Sequence, residues 1–380
     1  MVPPIRLDRH ELAGAVADVG VLVPIAAALI VSNGLSATAV LLPAALLYIA
    51  AGLIYRLPVP VQPLKAFGAI AIAQGLGADE IAAGALLMGV IFLAMGATGL
   101  IDRAARVFPR ALIRGVQLSV GLLFLKIAWG LVEHPPKSFT AHALEPAVAV
   151  PLGLAFLVVA LVFRRHLIAL VLVVTGLAIA ITETAGGLSF GPSALELPAF
   201  SWTTFGTALT VLVLPQLPLS FANSCVATAD AARTYFGEAA SRVRAGRLAT
   251  TLGAANVLSG AISGMPVCHG AGGLTAHRSF GARNGGAPLF LGVVLLALAL
   301  GLGAGLATLL AAFPLTILAA LLAAAGVMHL GLLRDLRGAR EWGLALIVGV
   351  LGLITNLAIG LAAGLLLWWL SALLRRPQPA

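Results

Sequence analysis

Pro58-Val59-Pro60-Val61-Gln62-Pro63-Leu64-Lys65-Ala66 and Gly264-Met265-Pro266-Val267-Cys268-His269-Gly270-Ala271-Gly272-Gly273 decide how this chain reads. Both stretches lie in apolar sequence of membrane length, yet neither suits a continuous membrane helix. Proline removes a backbone donor, and glycine costs a helix interior roughly 1 kcal/mol. Broken backbone at membrane depth persists only where protein buries it or where it lines a polar cavity. Two interrupted segments at corresponding places in two halves of a chain point to the binding site of a secondary transporter.

Composition agrees with that expectation. The 380 residues are 61% hydrophobic and 10% charged, with a mean hydropathy of +1.07, whereas a soluble protein carries about 25% charged residues. This excludes a water-soluble domain and implies one membrane body. No segment is polar enough for a soluble regulatory domain. The net charge of +9 does not mark a nucleic-acid partner, because the 20 arginines fall in clusters between apolar runs, which is a topology signal. The first residues lack the apolar core and cleavage site of a signal peptide, so the first span is expected to remain as an anchor. Cys225 and Cys268 lie in apolar segments and imply no disulfide framework. No His/Cys/Asp cluster has metal spacing and no catalytic triad is evident, so no cofactor, no metal and no enzyme chemistry are expected.

Cut at charges and at Gly/Pro breaks, the apolar runs predict an all-α polytopic membrane protein with about 14 transmembrane segments. The first set covers 12–32, 37–55, a short 64–76, 80–101, 111–131, 146–164 and 167–185. The second covers 204–224, 243–263, a short 268–278, 288–304, 313–330, 342–355 and 357–371. With the N-terminus inside, Arg56, the group Arg103 to Arg114, Arg164 and Arg165, the group Arg233 to Arg247, Arg278 and Arg283, and the group Arg334 to Arg340 all fall on one side. Arg6, Arg9, Arg375 and Arg376 join them at the termini. The opposite connections hold Asp79, Glu80, Glu133, Lys137, Glu145, Glu183 and Glu196 and no arginine. The two broken motifs lie about 206 residues apart, each in the third span of a seven-span set (segments 3 and 10). An odd span number inverts the second half relative to the first, a 7+7 inverted repeat.

Within the motifs, Val59 and Val61 alternate with Pro60 as an extended stretch, and Pro63 suits the first turn of a helix. Lys65 and Ala66 then offer free backbone N–H groups. In the second motif the helix begins near His269-Gly270, followed by Ala271 and Gly272. Inverted symmetry aims the two helix starts at each other. Each carries about +0.5 charge, so with the Lys65 ammonium the sum is about +2, suited to a dianion such as a tetrahedral oxyanion. Gln62 either caps broken backbone or reaches the anion. Asp18, the only carboxylate well inside a span, is a partner for Lys65, a cap on a broken helix, or a proton site. His269 is either a packing histidine or a donor to the anion and a second proton-coupling candidate. In the eighth span Gln216, Asn223 and Ser224 are candidates for a further wall of the site, against the alternative that polar residues glue membrane helices. Cys268 reads as a small buried residue, and Lys126 as a lysine snorkelling outward.

Ala17-Asp18-Val19-Gly20, the run Pro60 to Ala66 and the run Met265 to Leu274 resemble the molybdate transporter family, a branch of the sulfate-permease (SulP) superfamily. Gln216-Leu217-Pro218 through Asn223 and Phe280-Gly281-Ala282-Arg283 follow its pattern too, while Leu64 stands where the family has methionine. The resemblance implies a core domain (10–110 and 201–312) sliding against a gate domain (111–200 and 313–374) in an elevator motion. It implies import of molybdate, held between the starts of the third and tenth spans, with protons as coupling ion through Asp18, His269 or both. It also implies a multi-pass protein of the cell inner membrane with both termini cytoplasmic, in contact with lipid and, as one option, with a second copy in a homodimer. The alternatives are sulfate or another oxyanion on the same fold, a nucleobase:proton symporter, a passive anion channel, or a membrane enzyme using Cys268 and His269. A neutral nucleobase gains little from Lys65 and two helix starts. The enzyme lacks an evident base and orienting group.

Overall fold

Runs rich in leucine and alanine carry no side-chain polar group that competes with backbone pairing. They form sixteen helices among the described residues when Trp202–Arg242 is taken as one. The computed structural model describes residues 3–15, 18–101, 109–135, 144–162, 165–184, 187–355 and 357–373. Ala17, Arg103, Arg106, Lys137, Arg164, Arg375 and Arg376 lie outside the described residues. The first half contains α1 (Arg9–Ala15), α2 (Val19–Val31), α3 (Ala37–Tyr55), α4 (Lys65–Gln74), α5 (Ala78–Thr98), α6 (Arg110–Glu133), α7 (Pro146–Val162) and α8 (Arg165–Glu183). The second half contains α9 (Trp202–Arg242), α10 (Ala245–Ala261), α11 (Ala271–Ser279), α12 (Gly286–Gly301), α13 (Gly303–Ala311), α14 (Leu315–Leu330), α15 (Gly338–Ile354) and α16 (Leu357–Leu373). Among the described residues five helical stretches, α3, α5, α6, α9 and α14 with its extension to Asp335, are long and apolar enough to cross a membrane; α12 with α13 makes a sixth if that bent pair is one span.

The stretch expected as one span over 12–32 holds α1 and α2, with residues 16 and 17 between them outside the described residues. Three expectations are corrected. Helix α9 does not stop near 224 but continues to Arg242, carrying Arg233 within it rather than in a connection. It does so through two π segments, Ala208–Val213 and Ser220–Ala227, flanking Pro215 and Pro218. Prolines delete i→i−4 bonds, and wider π turns absorb the irregularity without ending the helix. Gly301 ends α12, and α13 departs from it at 93°, an additional helix where 288–304 was read as a single span. Finally, Pro63 lies in an extended strand rather than in a helical first turn.

Helix pairs are drawn from both halves: α3 packs on α12, α5 on α10, and α6 on α14 and α15. Small residues set the approach of the α5–α10 pair. A Cβ on Gly253 would stand 2.6 Å from the Leu93 nitrogen, and one on Gly89 would stand 2.6 Å from the Val257 nitrogen. Such contact lets membrane helices gain dispersion energy where water-driven association is absent. At the start of α12, buried Glu11 of α1 accepts from the backbone nitrogens of Arg283 (2.6 Å), Asn284 (3.0 Å) and Ala287 (3.1 Å). That carboxylate satisfies donors that a helix start leaves open, and so ties the first helix to the second half.

Candidate functional site

The two broken motifs meet as a short antiparallel pair, β1 (Gln62–Pro63) and β2 (Val267–Cys268), in the register Gln62↔Cys268 and Pro63↔Val267. The Leu64 nitrogen extends it by donating to the Pro266 carbonyl at 3.1 Å. A ladder of this length cannot hold itself, and side chains from α10 complete it. The Asn256 amide donates to the Val267 carbonyl (2.9 Å) and accepts from the Val267 nitrogen (2.7 Å), while the Ser259 hydroxyl donates to the Met265 carbonyl. Entry into each strand is made by a non-glycine residue of positive φ, Arg56 (57°) before the first and Ser263 (52°) before the second. These are the only such residues among those described. L-residues rarely adopt this conformation, and it persists where the surroundings impose it.

Each strand leads directly into a short helix, α4 from Leu64 and α11 from Gly270. The first N–H groups of a helix have no intrahelical acceptor. In α4 the third of these, on Phe67, is taken by the Gln216 side-chain oxygen at 2.9 Å, and the Gln216 amide nitrogen donates to Ser220 at 2.9 Å. Gln216 is therefore a cap donated by α9, with both ends of its amide in use inside the protein. Lys65 and Ala66, at the first two positions of α4, keep the helix end beside the Lys65 ammonium. In α11, Gly270, Ala271 and Gly272 form the start without a side-chain cap among the described residues. A Cβ on Gly272 would meet nothing within 4 Å, whereas one on Gly273 would stand 2.6 Å from the Gln62 nitrogen and 2.8 Å from Asp18 Oδ1.

Asp18 is fully buried and receives three donors. Tyr48 Oη donates to Oδ2 at 2.7 Å, His277 Nε2 approaches the same oxygen at 2.7 Å, and the Gln62 amide donates to Oδ1. Lys65 Nζ donates to the other end of the Gln62 amide. A continuous hydrogen-bonded chain thus runs from Lys65 through Gln62 and Asp18 to Tyr48 and His277. Asp18 is linked to Lys65 through Gln62 rather than by direct pairing. This corrects the charge count: with Asp18 ionised, Lys65 and two helix starts leave about +1, not about +2, at the site.

The structure brings Lys65, Gln62, Gly270 and Asn223 together, with Ala66 next to Lys65 and Ala271 and Gly272 next to Gly270 in the chain. A Cβ on Gly270 would stand 3.0 Å from the Gln62 oxygen and 3.6 Å from the Asn223 nitrogen. Asn223 in turn lines a cavity of about 650 Å³ with Arg110, Arg114, Gln117, Asp230 and Asp335. The Arg114 guanidinium is paired with Asp335 and also donates to Gln117 at 2.7 Å. His269 is placed differently. It is fully buried, with Nδ1 on the Pro60 carbonyl (2.8 Å) and Nε2 on the Thr251 hydroxyl (3.0 Å), so neither ring nitrogen is free for an anion. It ties the first motif to α10, the packing role that the sequence left open. Ser224 and Cys268 are buried. Lys126 is exposed and lines a smaller cavity of about 190 Å³ with Gln74, Ser119 and Thr355.

Sequence reasoning did not single out Tyr48, His277, Asn256, Ser259 or Thr251. Some signal was present. Tyr48 and Tyr55, two of the chain's three tyrosines, are spaced i, i+7 on one face of α3. Tyr48 meets Asp18, and Tyr55 meets the Thr251 hydroxyl at 2.6 Å. His277 follows Gly273 at i+4, which places it on the same face of α11.

The sequence profile described as "Molybdate transporter of MFS superfamily" matches residues 10–124 and 208–328. Molybdate transporter 1 of Arabidopsis thaliana is 31% identical over 96% of this chain and 88% of its own length. Molybdate transporter 1 of Chlamydomonas reinhardtii is 29% identical over 95% and 91%. Among solved structures, murine Slc26a9 in the inward-facing state superposes with a TM-score of 0.72 at 15% identity, covering 98% of this chain and 69% of that one. The transmembrane domain of the cyanobacterial bicarbonate transporter BicA gives 0.68 at 20% identity, covering 93% and 97%. The chain belongs to the molybdate transporter family, a family of multi-pass membrane transporters, and its fold is that of the SLC26/SulP proteins.

Proposed function

From this membership, we propose that the protein imports molybdate across the cell inner membrane as a proton-coupled secondary transporter. The observation that carries the reading is the meeting of the two motifs: the Asn223 amide and the Gln62 amide that holds the Lys65 ammonium lie beside Gly270, where α11 starts, and Lys65 itself starts α4. Donors aimed at one point suit a compact oxyanion, because each N–H meets an oxygen directly and the helix ends and ammonium supply opposite charge. Ala66 and Ala271 contribute backbone N–H groups and a surface small enough for the anion to approach.

The fold supports an inverted repeat of seven plus seven spans. Exchanging equivalent spans of the two halves turns the α3–α12 pair into the α10–α5 pair, both observed. In this reading α2 to α5 and α9 to α12 form the core, and α6 to α8 with α14 to α16 form the gate. The cavity lined by Asn223 of α9 and Arg114 of α6 has Arg110, Asp230 and Asp335 in its wall, which supports placing it between core and gate beside the arginine-bearing connections. It is the cytoplasmic exit, with both termini on that side. An elevator displacement of the core would carry the anion from the opposite face to this exit.

Binding of molybdate, sulfate and uracil to the detergent-purified protein, by calorimetry, tests the reading. Molybdate binding with weaker sulfate binding is expected. Sulfate preference would overturn the substrate, and uracil binding without either oxyanion would overturn the site.

A further inference from the structure

Two buried side-chain polar atoms lack a hydrogen-bond partner among the described residues: Asn33 Oδ1 and His277 Nδ1. The histidine is fully buried, and its other nitrogen faces a carboxylate oxygen at 2.7 Å. An ionised carboxylate only accepts, so Nε2 carries the hydrogen and Nδ1 holds a bare lone pair. Asp18 offers no comparable place for a proton. Both of its oxygens already accept, Oδ1 from Gln62 and Oδ2 from Tyr48 and His277. The amide donor cannot reverse its role while its oxygen accepts from Lys65.

The charge count at the site points the same way. Lys65 and Asp18 cancel, which leaves two helix starts of about +0.5 each against a dianion. One proton on His277 raises the sum to about +2, matching the charge of molybdate. We propose that His277 Nδ1 is the proton-binding atom of this transporter, and that its protonation and molybdate binding favour one another. This rests on reading the site as a proton-coupled molybdate site. The proton from solution becomes an N–H on Nδ1, the Nε2–H remains on Asp18 Oδ2, and the imidazolium faces a carboxylate that stabilises it. On release of the anion the same proton leaves Nδ1.

Other titratable and charged groups around α11 are engaged or directed elsewhere. From α1, Glu11 is held by the nitrogens at the start of α12, while Arg9 and His10 are exposed. From α9, Tyr235 bonds Thr275 at 3.1 Å and lies under the Arg278 guanidinium at 4.5 Å, Asp230 faces the cavity, and Arg233 shares their helix. Tyr48 of α3 and Asp18 before α2 are in the chain itself, and Lys65 of α4 reaches it through Gln62. The other buried histidines use ring nitrogens on backbone carbonyls, His269 on Pro60 and His329 on Ala325 (3.0 Å).

Calorimetry of molybdate binding to the full-length protein, in buffers of different ionisation enthalpy between about pH 5.5 and 8, counts the protons taken up. Wild type is expected to take up close to one proton at the upper end, with affinity falling up to about tenfold per pH unit. His277→Gln keeps an N–H for Asp18 but has no titrating nitrogen. It is expected to take up none and to bind with an affinity independent of pH. Molybdate binding without proton uptake in wild type, or undiminished uptake in His277→Gln, would overturn the inference alone. No molybdate binding to wild type at any pH would overturn the substrate reading and the inference with it. If the variant does not fold, imidazole ¹⁵N NMR of wild type decides: molybdate must convert one of the seven histidines to imidazolium, and conversion of none refutes the proposal.

Discussion

The two halves of the site are built by opposite means. The first motif acts through side chains: Gln62 and Lys65 carry its polarity, and Gln216 from a neighbouring helix caps its start. The second acts through their absence. Its glycines leave room for Gln62 and Asp18, while Asn256, Ser259 and Thr251 of α10 hold its backbone and its histidine from behind. The two motifs therefore share a geometry, two strands leading into two helix starts, while their chemistry diverges. One half supplies charge and the other supplies space and bare N–H groups.

Removing the charge should have the largest effect. An ion pair at 4 Å is worth about 4 kcal/mol at an effective dielectric of 20, or about a thousandfold in affinity. Lys65→Ala should accordingly lose molybdate binding in calorimetry while remaining folded in detergent. Wild-type affinity in that variant would place the anion elsewhere. On the other half, space is the quantity to perturb. Gly273→Ala pushes a methyl group against Gln62, Asp18 and Pro60, an overpacking that costs about 1–3 kcal/mol and should lower the thermal midpoint as well as binding. Gly272→Ala meets open space, so its midpoint should stay at the wild-type value. Any loss of molybdate affinity there measures how closely the anion approaches.

The supports of the two motifs can be compared directly. Asn256→Ala leaves both Val267 backbone groups unpaired in a buried place, about 1–3 kcal/mol for each. Gln216→Ala removes one capping bond, about 0.5–2 kcal/mol. Thermal unfolding in detergent should rank Asn256→Ala below Gln216→Ala; the reverse order would mean that the first motif is the more fragile. The smallest effect is expected at the cavity mouth. Asp335 is half-buried and its pair with Arg114 is partly solvated, so Asp335→Asn should change stability by less than about 1 kcal/mol.

Much of this was legible in the chain. Proline and glycine act locally, so both breaks and the closeness of Lys65 to the first could be read from spacing, although Pro63 belongs to the strand before the helix rather than to the helix. Long apolar runs announced α3, α5 and α6 for the same reason. The continuation of α9 to Arg242 was not legible, because charge and proline suggested an end that π turns accommodate. Nor was the 93° bend at Gly301, which depends on what α13 packs against.

Local periodicity and charge therefore determined the membrane class and the broken segments, since these follow from residues near in sequence; they did not determine the charge balance beside Lys65, because Asp18 reaches it through Gln62. Only the tertiary structure decided who touches Asp18. Tyr48, Gln62 and His277 come from three separate elements, and their convergence arises from the β1–β2 pairing and the packing of α2, α3 and α11 around it. A buried carboxylate must collect whichever donors the fold delivers to it, and no spacing along the chain states which ones those are.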